Sequence, residues 1–459
     1  MQFNDEIARA VKHQAAIDKN KRKTKEEIDD IISALNTKIK QKQYDFTKSE
    51  FIILNKNRKK RFVKQFKELY SAESVLCQCI KHILDKAFKV RYPNRNKSIR
   101  MLFGVLTAIK QMSDFTIVRF DFKDYFNSVS AIYVFEKFIR MKLSDRFETD
   151  LVYEFSKKTK YAYAGFCTSN VIAEIIAGEF DESLKIALIN KGIIFYERYI
   201  DDAVIIFNDH IEECEILEVL QKVLESVFRD KSISVQQKCR TQLNNKKFSY
   251  ISKRNMGNNT ASFDYLGYEF WIEPQTKTTE IKYGITQSKR DKYNKRVDKF
   301  ISCFLDQYHS DFNNIELLRH RIAAFTSRSV YQNKKFNSYI WKVKGLIANY
   351  GELRYLLHTK LIENRTRDFL ENMVNEAFSR ASITIPYFLK GSQGKAGYNL
   401  LENMRENKTL LLVKQIGYDD LSLIKLCAQI GINNTDKNGH KRGYGTLVRE
   451  YLIKTKVGY

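Results

Sequence analysis

Residues 195–207 have the sequence Phe195-Tyr-Glu-Arg-Tyr-Ile-Asp201-Asp202-Ala-Val-Ile-Ile-Phe207. Two runs rich in Ile, Val, Phe and Tyr flank an Asp-Asp pair, which predicts a β-hairpin with the aspartates at its tip. Adjacent carboxylates between hydrophobic strands are unfavourable unless a cation neutralises them. Mg²⁺ suits oxygen ligands and phosphate substrates. The stretch therefore predicts a metal site, although an Asp-Asp pair can also be a solvated turn.

A second carboxylate source lies about 80 residues upstream. The β-rich run 116–121 ends at Asp121, where this side chain can face the hairpin tip. Two ions roughly 3.5–4 Å apart can activate an attacking hydroxyl and stabilise the leaving oxygen of a phosphoryl transfer. We expect Asp121 and Asp201 to bridge two Mg²⁺ ions, with Mn²⁺ as an alternative, and Asp202 to be a weaker ligand.

The charge of the chain indicates a polyanionic partner. The 459 residues carry a net charge of +25. The excess lies in residues 1–100 and 281–459, whereas 101–280 is slightly acidic. Nucleic acid is the usual partner of such a protein, and we expect the basic flanks to contact its phosphates.

Several classes are disfavoured. The seven cysteines include no C-x-x-C pair, which argues against a zinc module and against a disulfide framework. No apolar run approaches the roughly 20 residues that span a bilayer. The expected location is the cytoplasm, without membrane contact.

The periodicity of apolar residues predicts an α+β middle between helical flanks. Helices are expected over 25–40, 168–189, 211–229 and 290–305, where apolar residues recur every three or four positions. Strands are expected over 116–121 and 192–199, where β-branched and aromatic residues are enriched.

Three segments, in this order, resemble motifs of reverse transcriptases. Residues 120–126 resemble the first palm motif, and Tyr199-Ile-Asp201-Asp202 resembles the Tyr-x-Asp-Asp box. Residues 263–270 resemble the strand pair that grips the primer end. The resemblance implies a right-hand polymerase with fingers and palm over 91–280. A helical basic N-terminal region (1–90) would precede it, and an α-helical thumb and C-terminal domain (281–459) would follow.

The segment before residue 181 narrows the resemblance. Residues 165–175 lack the Gln-Gly and Ser-Pro of intron and retron enzymes. Their Thr-Ser followed by Ala-Glu-Ile is similar to the bacterial abortive-infection and unknown-group reverse transcriptases of antiphage defence. A plain amphipathic helix behind the palm is the alternative interpretation of this segment.

The resemblance also implies roles for individual residues. In the first motif, the resemblance implies that the backbone amides of Asp124 and Tyr125 lie along the incoming triphosphate. It implies that the ring of Phe126 excludes ribonucleotides, and Phe122 is also expected to contact the dNTP. Further contacts with the dNTP are implied for Gly165, Thr168, Ser169, Arg95 and Arg100, the two arginines being otherwise part of a solvated loop. Lys238 would protonate the leaving pyrophosphate, or is an ordinary surface lysine. Contacts with primer and template are implied for Tyr199, Leu266, Gly267, Lys289, Arg290 and Arg296.

The function implied is that of an RNA-directed DNA polymerase in the cytoplasm of a bacterium, acting in antiviral defence. It would add dNTPs to a 3′-hydroxyl, with a non-coding RNA as template or scaffold and nascent DNA as product. A homo-oligomer or a partner protein is compatible with this. The alternatives are a template-independent, protein-primed DNA polymerase and a catalytically inactive RNA-binding scaffold. The bulk of Phe126 disfavours an RNA polymerase.

Overall fold

The computed structural model describes most of the chain. The described residues are 2–18, 23–56, 59–230, 240–275, 278–306, 313–327, 330–331, 345–357, 359–389, 398–406, 410–411, 419–436 and 439–455. The strands, in chain order, are β1 Glu50–Lys56, β2 Lys59–Gln65, β3 Thr116–Lys123, β4 Ile193–Tyr199, β5 Asp202–Phe207, β6 Gln242–Leu243, β7 Ser249–Ser252, β8 Ala261–Tyr265, β9 Tyr268–Pro274, β10 Thr279–Ile285, β11 Val330–Tyr331 and β12 Leu410–Leu411.

Helices make up most of the remaining elements. In chain order they are α1 Gln2–Ile17, α2 Lys25–Lys40, α3 Ala72–Phe88, α4 Arg95–Ile109, α5 Tyr125–Ser128, α6 Ala131–Val134, α7 Arg146–Thr159, α8 Ser169–Ala187, α9 Glu213–Val227, α10 Lys253–Met256, α11 Gln287–Leu305, α12 Asn313–Thr326, α13 Leu346–Asn349, α14 Asn364–Arg380, α15 Leu400–Arg405, α16 Asp420–Gln429 and α17 Tyr444–Lys454. The predicted α+β class is confirmed, as are the helices expected over 25–40, 168–189, 211–229 and 290–305.

The chain divides into two compact units. Unit 1 comprises Met1–Ser98 and Met112–Gly257, and unit 2 comprises Ile99–Gln111 and Asn258–Tyr459. This division differs from boundaries at residues 90 and 280. The N-terminal helices belong to the same unit as residues 112–257, because Ile7, Leu35 and Val75 share one hydrophobic core with the strands there.

A five-stranded sheet organises unit 1. Its order is β4-β5-β3-β6, and β7 also pairs with β3. The antiparallel pair β4–β5 is the predicted hairpin, with Asp201 between its strands. The strand predicted over 116–121 continues to Lys123, where β6 pairs with it. The pairing of β5 with β3 places the tip of the hairpin beside Asp121.

Helices cover one face of this sheet. Phe120 and Phe122 contact Phe180 of α8, with ring centroids 6.2 and 5.2 Å away. Phe122 also lies 5.7 Å from the ring of Phe228, which follows α9. Since side chains alternate along a strand, Arg119 and Asp121 project from the opposite face.

Residues 1–90 were expected to be helical, but they contain the antiparallel hairpin β1–β2. The second strand is rich in lysine and arginine, which obscures its β pattern in the sequence. Cross-strand pairs such as Ile52 with Val63 and Ile53 with Phe62 set the register. The backbone N–H of Lys64 donates to the carbonyl of Ala164 (2.7 Å), which attaches the hairpin to the segment before α8.

Unit 2 combines the three-stranded sheet β10-β9-β8 with helices. Phe103 of α4 packs against Tyr283, with ring centroids 4.6 Å apart. Tyr293 and Phe300 of α11 pack on Phe325 of α12, each at 5.8 Å. The described residues after 280 are thus largely helical, but strand β10 crosses that boundary. No helix among the described residues is sufficiently long and apolar to traverse a bilayer.

Candidate active site

The antiparallel register of β3 and β5 places Asp121 directly opposite Asp202. Side chains of paired residues project from the same face of a sheet, so the two carboxylates share the face that the helices leave uncovered. The backbone N–H of Phe122 donates to the carbonyl of Asp201 (2.9 Å), which brings the turn residue against the same part of β3. The register therefore brings Asp121 to the Asp201–Asp202 pair, although the two segments are distant in sequence.

Asp202 is held by an arginine that our sequence reasoning did not select. Arg119 Nε and Nη2 donate to the two carboxylate oxygens of Asp202 (2.8 and 3.2 Å), and its Nη1 donates to the carbonyl of Lys247 (2.6 Å). The side chains of Arg119 and Asp202 are 5% and 15% exposed. A bidentate pair of this kind is strong and directional. Arg119 thereby engages both carboxylate oxygens of Asp202.

Asp121 is buried and satisfied by two neighbours. Its Oδ1 accepts from Asn244 Nδ2 (2.9 Å), and its Oδ2 accepts from the ammonium of Lys247. The backbone N–H of Asn244 also donates to the carbonyl of Asp121 (2.8 Å). A buried carboxylate needs such compensation. Lys247 was missed because only the long-range pairing of β6 and β7 with β3 brings it to the site.

The turn between β4 and β5 has an unusual backbone. Ile200 has φ 62°, in the left-handed region that β-branched residues rarely adopt. Arg198 Nη1 donates to the carbonyl of Ile200 (2.8 Å), and the N–H of Phe122 binds the next carbonyl, that of Asp201. These two bonds fix the peptide units on both sides of Asp201.

The donor set fits a hard cation in kind, because it consists of carboxylate oxygens. Across the described ranges, however, no group of three or more Asp, Glu, His or Cys side chains is arranged to hold a metal ion. The contacts above give the reason: Asp202 faces Arg119, and Asp121 faces Lys247. Asp121 and Asp201 are the residues that would hold a cation, and Lys247 would have to leave Asp121 to admit it.

The first motif places its side chains in different environments. Phe122 is 1% exposed and stacks on Tyr125, whose hydroxyl donates to the carbonyl of Ala173 (2.9 Å). Both rings are core, so only their backbones could contact a nucleotide. Asp124 is exposed, adopts φ 48° and accepts from Asn127 Nδ2 (2.7 Å). The half-buried ring of Phe126 lies 5.6 Å from that of Tyr125.

The side chains predicted to contact substrate between 165 and 169 are directed inward. Ser169 is buried, and its hydroxyl donates to the carbonyl of Tyr163. Thr168 is buried, with its hydroxyl 3.6 Å from the sulfur of Cys77. Gly165 has φ 114°, and a Cβ there would lie 2.5 Å from the carbonyl oxygen of Lys64. The prediction that the Thr168 and Ser169 hydroxyls contact substrate is therefore wrong, because both hydroxyls make contacts within the protein that position this segment.

A group of cations beside this segment was not predicted. The ammonium of Lys64 lies 5.1 Å from the ring centroid of Tyr163. The guanidinium of Arg240 lies 4.2 Å from the ring centroid of Tyr161. Burial, and then the nearby Lys160 ammonium, lower the pKa of Lys64 below its ordinary value. These cations supply positive charge to unit 1 near Gly165.

Arg95 and Arg100, which were predicted to bind the dNTP, lie in surroundings different from those of the cations near Gly165. Arg95 begins α4 and is half-buried. Arg100 belongs to unit 2, where its guanidinium donates to both carboxylate oxygens of Glu352 (3.1 and 3.3 Å). Glu352 therefore already engages the guanidinium that was expected to bind the triphosphate. Lys238 lies outside the described residues.

The residues predicted to contact primer and template, apart from Tyr199 in β4, lie in unit 2. Leu266 and Gly267 form the β8–β9 turn with φ 51° and 83°, and a Cβ at Gly267 would lie 3.1 Å from Lys289 Cε. Arg290 is 5% exposed and donates to the carbonyl of Ile285 (2.5 Å). The guanidinium of Arg290 is thus used inside unit 2, which corrects its predicted role. Arg296 lies over the ring of Phe325 (5.8 Å).

Comparisons with known proteins give weak likenesses. No protein-family model matches the chain, and neither does any curated protein. Apo telomerase from Candida tropicalis, truncated of its C-terminal domain, is similar with 12% identity and a TM-score of 0.35, over 54% of this chain and 59% of that one. Telomerase from Candida albicans with a TWJ fragment of telomeric RNA gives the same identity and TM-score, over 89% and 63%. The chain spans less than two thirds of the length of either. Likenesses this low do not assign a family.

The Arg119–Asp202 pair generates a stability prediction. Arg119→Met leaves the Asp202 carboxylate largely buried without its main partner, and we expect a loss of roughly 3 kcal/mol in the free energy of unfolding. The double variant R119M/D202N removes the stranded charge and should recover at least half of that loss. Urea unfolding measures both. Lys185→Met, in an exposed ion pair with Glu182, is the control, with an expected change of less than about 0.5 kcal/mol. Equal stability of R119M and wild type would contradict the buried pair.

Proposed function

We propose that the protein is a reverse transcriptase-like DNA polymerase. The observation that carries the proposal is the register of β3 and β5, which sets Asp121 opposite Asp202 and beside Asp201. Asp121 and Asp202, which the resemblance implies as metal ligands, lie on the face of this antiparallel sheet opposite Phe120 and Phe122. The proposed reaction is attack of a 3′-hydroxyl on the α-phosphate of a dNTP.

The aspartates would hold the cation, and nearby lysine and arginine side chains would attract the substrate. Asp121 and Asp201 would hold Mg²⁺, which, when bound, supplies activation of the attacking hydroxyl and stabilisation of the leaving oxygen. Asp202, through Arg119, would fix the start of β5 and so keep Asp201 in place. The cations Lys64, Lys160 and Arg240 would attract the triphosphate towards unit 1.

Lys247 is a second candidate for the role that the resemblance implies for Lys238. Its ammonium already contacts the Asp121 carboxylate, and its side chain is 48% exposed, so it can move without unpacking the core. Displaced from Asp121 by the incoming cation, Lys247 would carry its charge to the phosphates and stabilise the leaving pyrophosphate.

The proposed partners are a non-coding RNA, as template or scaffold, and the nascent DNA strand. The net charge of +25 and the basic flanks support a polyanionic partner. The proposed setting is antiphage defence in the cytoplasm of a bacterium, which rests on the resemblance of residues 165–175 to the abortive-infection and unknown-group enzymes.

Incorporation of labelled dNTPs by the purified full-length protein tests the proposal. With Mg²⁺, we expect wild type to make DNA and Asp121→Asn to lose on the order of 1,000-fold in rate, because the carboxylate that holds the cation becomes neutral. Asp29→Asn, on the exposed face of α2, is the control and should keep full activity.

The same assay separates the alternatives. Loss of incorporation after RNase pretreatment supports RNA-directed synthesis. Synthesis that survives RNase and leaves label attached to the protein supports the template-independent, protein-primed polymerase. Inactivity of wild type with every template and metal tested would replace the proposal with an RNA-binding scaffold.

Phe126 generates a prediction about the sugar of the nucleotide. Phe126→Ala removes the ring proposed to exclude the ribose 2′-hydroxyl, and we expect the preference for dNTP over rNTP to fall about 100-fold in kcat/KM. Competition between labelled dGTP and GTP measures the preference. An unchanged ratio in a folded F126A protein would show that another group selects the sugar.

Lys247 generates a prediction about charge. Lys247→Met should lower the single-turnover rate about 100-fold, whereas Lys247→Arg, which keeps the charge, should retain most of it. The adjacent exposed Lys246→Met is the matched control. If K247M and K246M behave alike, Lys247 only neutralises Asp121 in the free protein.

A further inference from the structure

A buried ionic cluster lies on the opposite side of the β4–β5 hairpin from Asp121. Its centre is Arg198 of β4, whose side chain is 5% exposed. Arg198 Nε and Nη2 donate to Asp181 (2.8 and 2.9 Å), while Nη1 and Nη2 donate to Glu174 (3.2 and 2.8 Å). Both carboxylates belong to α8 and lie seven residues apart, so they occupy the same face of that helix.

The cluster is charged and rigid. Burial alone would lower the pKa of Arg198, but the Asp181 and Glu174 carboxylates raise it well above its ordinary value. Tyr196, two residues earlier on β4, donates its hydroxyl to Asp181 (2.5 Å). Each charged group therefore has hydrogen-bond partners in a fixed geometry, as a buried ion pair requires.

One further bond of Arg198 leaves the cluster and reaches the turn. Nη1 donates to the carbonyl of Ile200 (2.8 Å), the residue with φ 62°. A β-branched residue in the left-handed region is strained and persists only where its surroundings impose that conformation. The Arg198 guanidinium imposes this conformation on Ile200. Glu174 and Asp181 of α8 fix the position of the planar group, and the group in turn donates to the Ile200 carbonyl.

We propose that Arg198, anchored to α8 by Glu174 and Asp181, is a positioning residue that sets the Ile200–Asp201 peptide and thereby aims the Asp201 carboxylate at Asp121. This inference rests on the proposed polymerase function, which it deepens. Arg198 acts through the turn and touches no reacting atom. Loss of its bond to Ile200 would let the peptide relax and displace Asp201, and a displacement of about 1 Å can cost 10²-fold in rate.

The test must separate positioning from folding. Arg198→Met strands two buried carboxylates, and its failure to fold would not address the turn. The triple variant R198Q/E174Q/D181N removes all three charges together, replaces the two acids by amides of the same size and leaves a shorter polar side chain at position 198. Arg198→Lys retains the charge but cannot serve both carboxylates and the turn at once. Glu182→Gln, exposed on α8 beside Asp181, is the matched control.

Three measurements decide the outcome: the thermal midpoint of unfolding, kcat and KM for the dNTP, and Mn²⁺ affinity from the EPR signal of the free ion. For the folded triple variant and for R198K, we expect kcat to fall about 100-fold, KM to change less than about 3-fold, and Mn²⁺ affinity to weaken about 10-fold. E182Q should match wild type, and D121N should lose most Mn²⁺ affinity.

Other results would overturn the positioning role of Arg198, the proposed function, or both. Folded R198K and triple variants with wild-type kcat and Mn²⁺ affinity would overturn the positioning role. If wild type incorporates no nucleotide yet binds Mn²⁺, the proposed function fails, and the Mn²⁺ affinities of the variants still decide for or against Arg198. A wild-type protein that neither incorporates nucleotide nor binds Mn²⁺ overturns both.

Discussion

The pairing of β3 with β5 is the constraint on which the rest of the site depends. It joins residues that are far apart in sequence and places Asp121, Asp202 and the turn carbonyl of Asp201 within one strand spacing. The alternation of side chains then does two things at once. It directs Phe120 and Phe122 into the helix-covered core and places the carboxylates on the other face, where Arg119, Asn244 and Lys247 bind them.

The two faces of the hairpin β4–β5 use arginine in the same way. On one face Arg119 binds Asp202, and on the other Arg198 binds the acids of α8. Each guanidinium is almost fully buried, and each also donates to a backbone carbonyl, those of Lys247 and Ile200. A planar group with five donors can join side-chain charge to backbone position, which a lysine cannot do. The hairpin tip is therefore restrained from both sides.

The sequence made the hairpin and the strand of Asp121 predictable, because apolar β runs and adjacent carboxylates are local signals. Arg119 was also within reach, since it lies two residues before Asp121 and so shares its face. Lys247, and the pairing of Arg198 with α8, depend on tertiary packing that no local pattern encodes. The hairpin β1–β2 was missed because the lysines and arginine of its second strand interrupt the pattern of apolar residues that predicts a strand. The Thr168 and Ser169 hydroxyls point inward because the hairpin β1–β2 and helix α3 pack against this segment. A short sequence motif carries no information about that packing.

The central place of β3 in its sheet also bears on how the chain is made. Arg119 is separated by 83 positions from Asp202 and by 128 from Lys247, yet it bonds to both. During translation β3 leaves the ribosome long before the partners on either of its edges exist. Until residue 252 has emerged, both edges cannot be covered, and unpaired strand edges are prone to association with other chains. Synthesis of this protein therefore includes an interval in which both edges of its central strand are open to other chains.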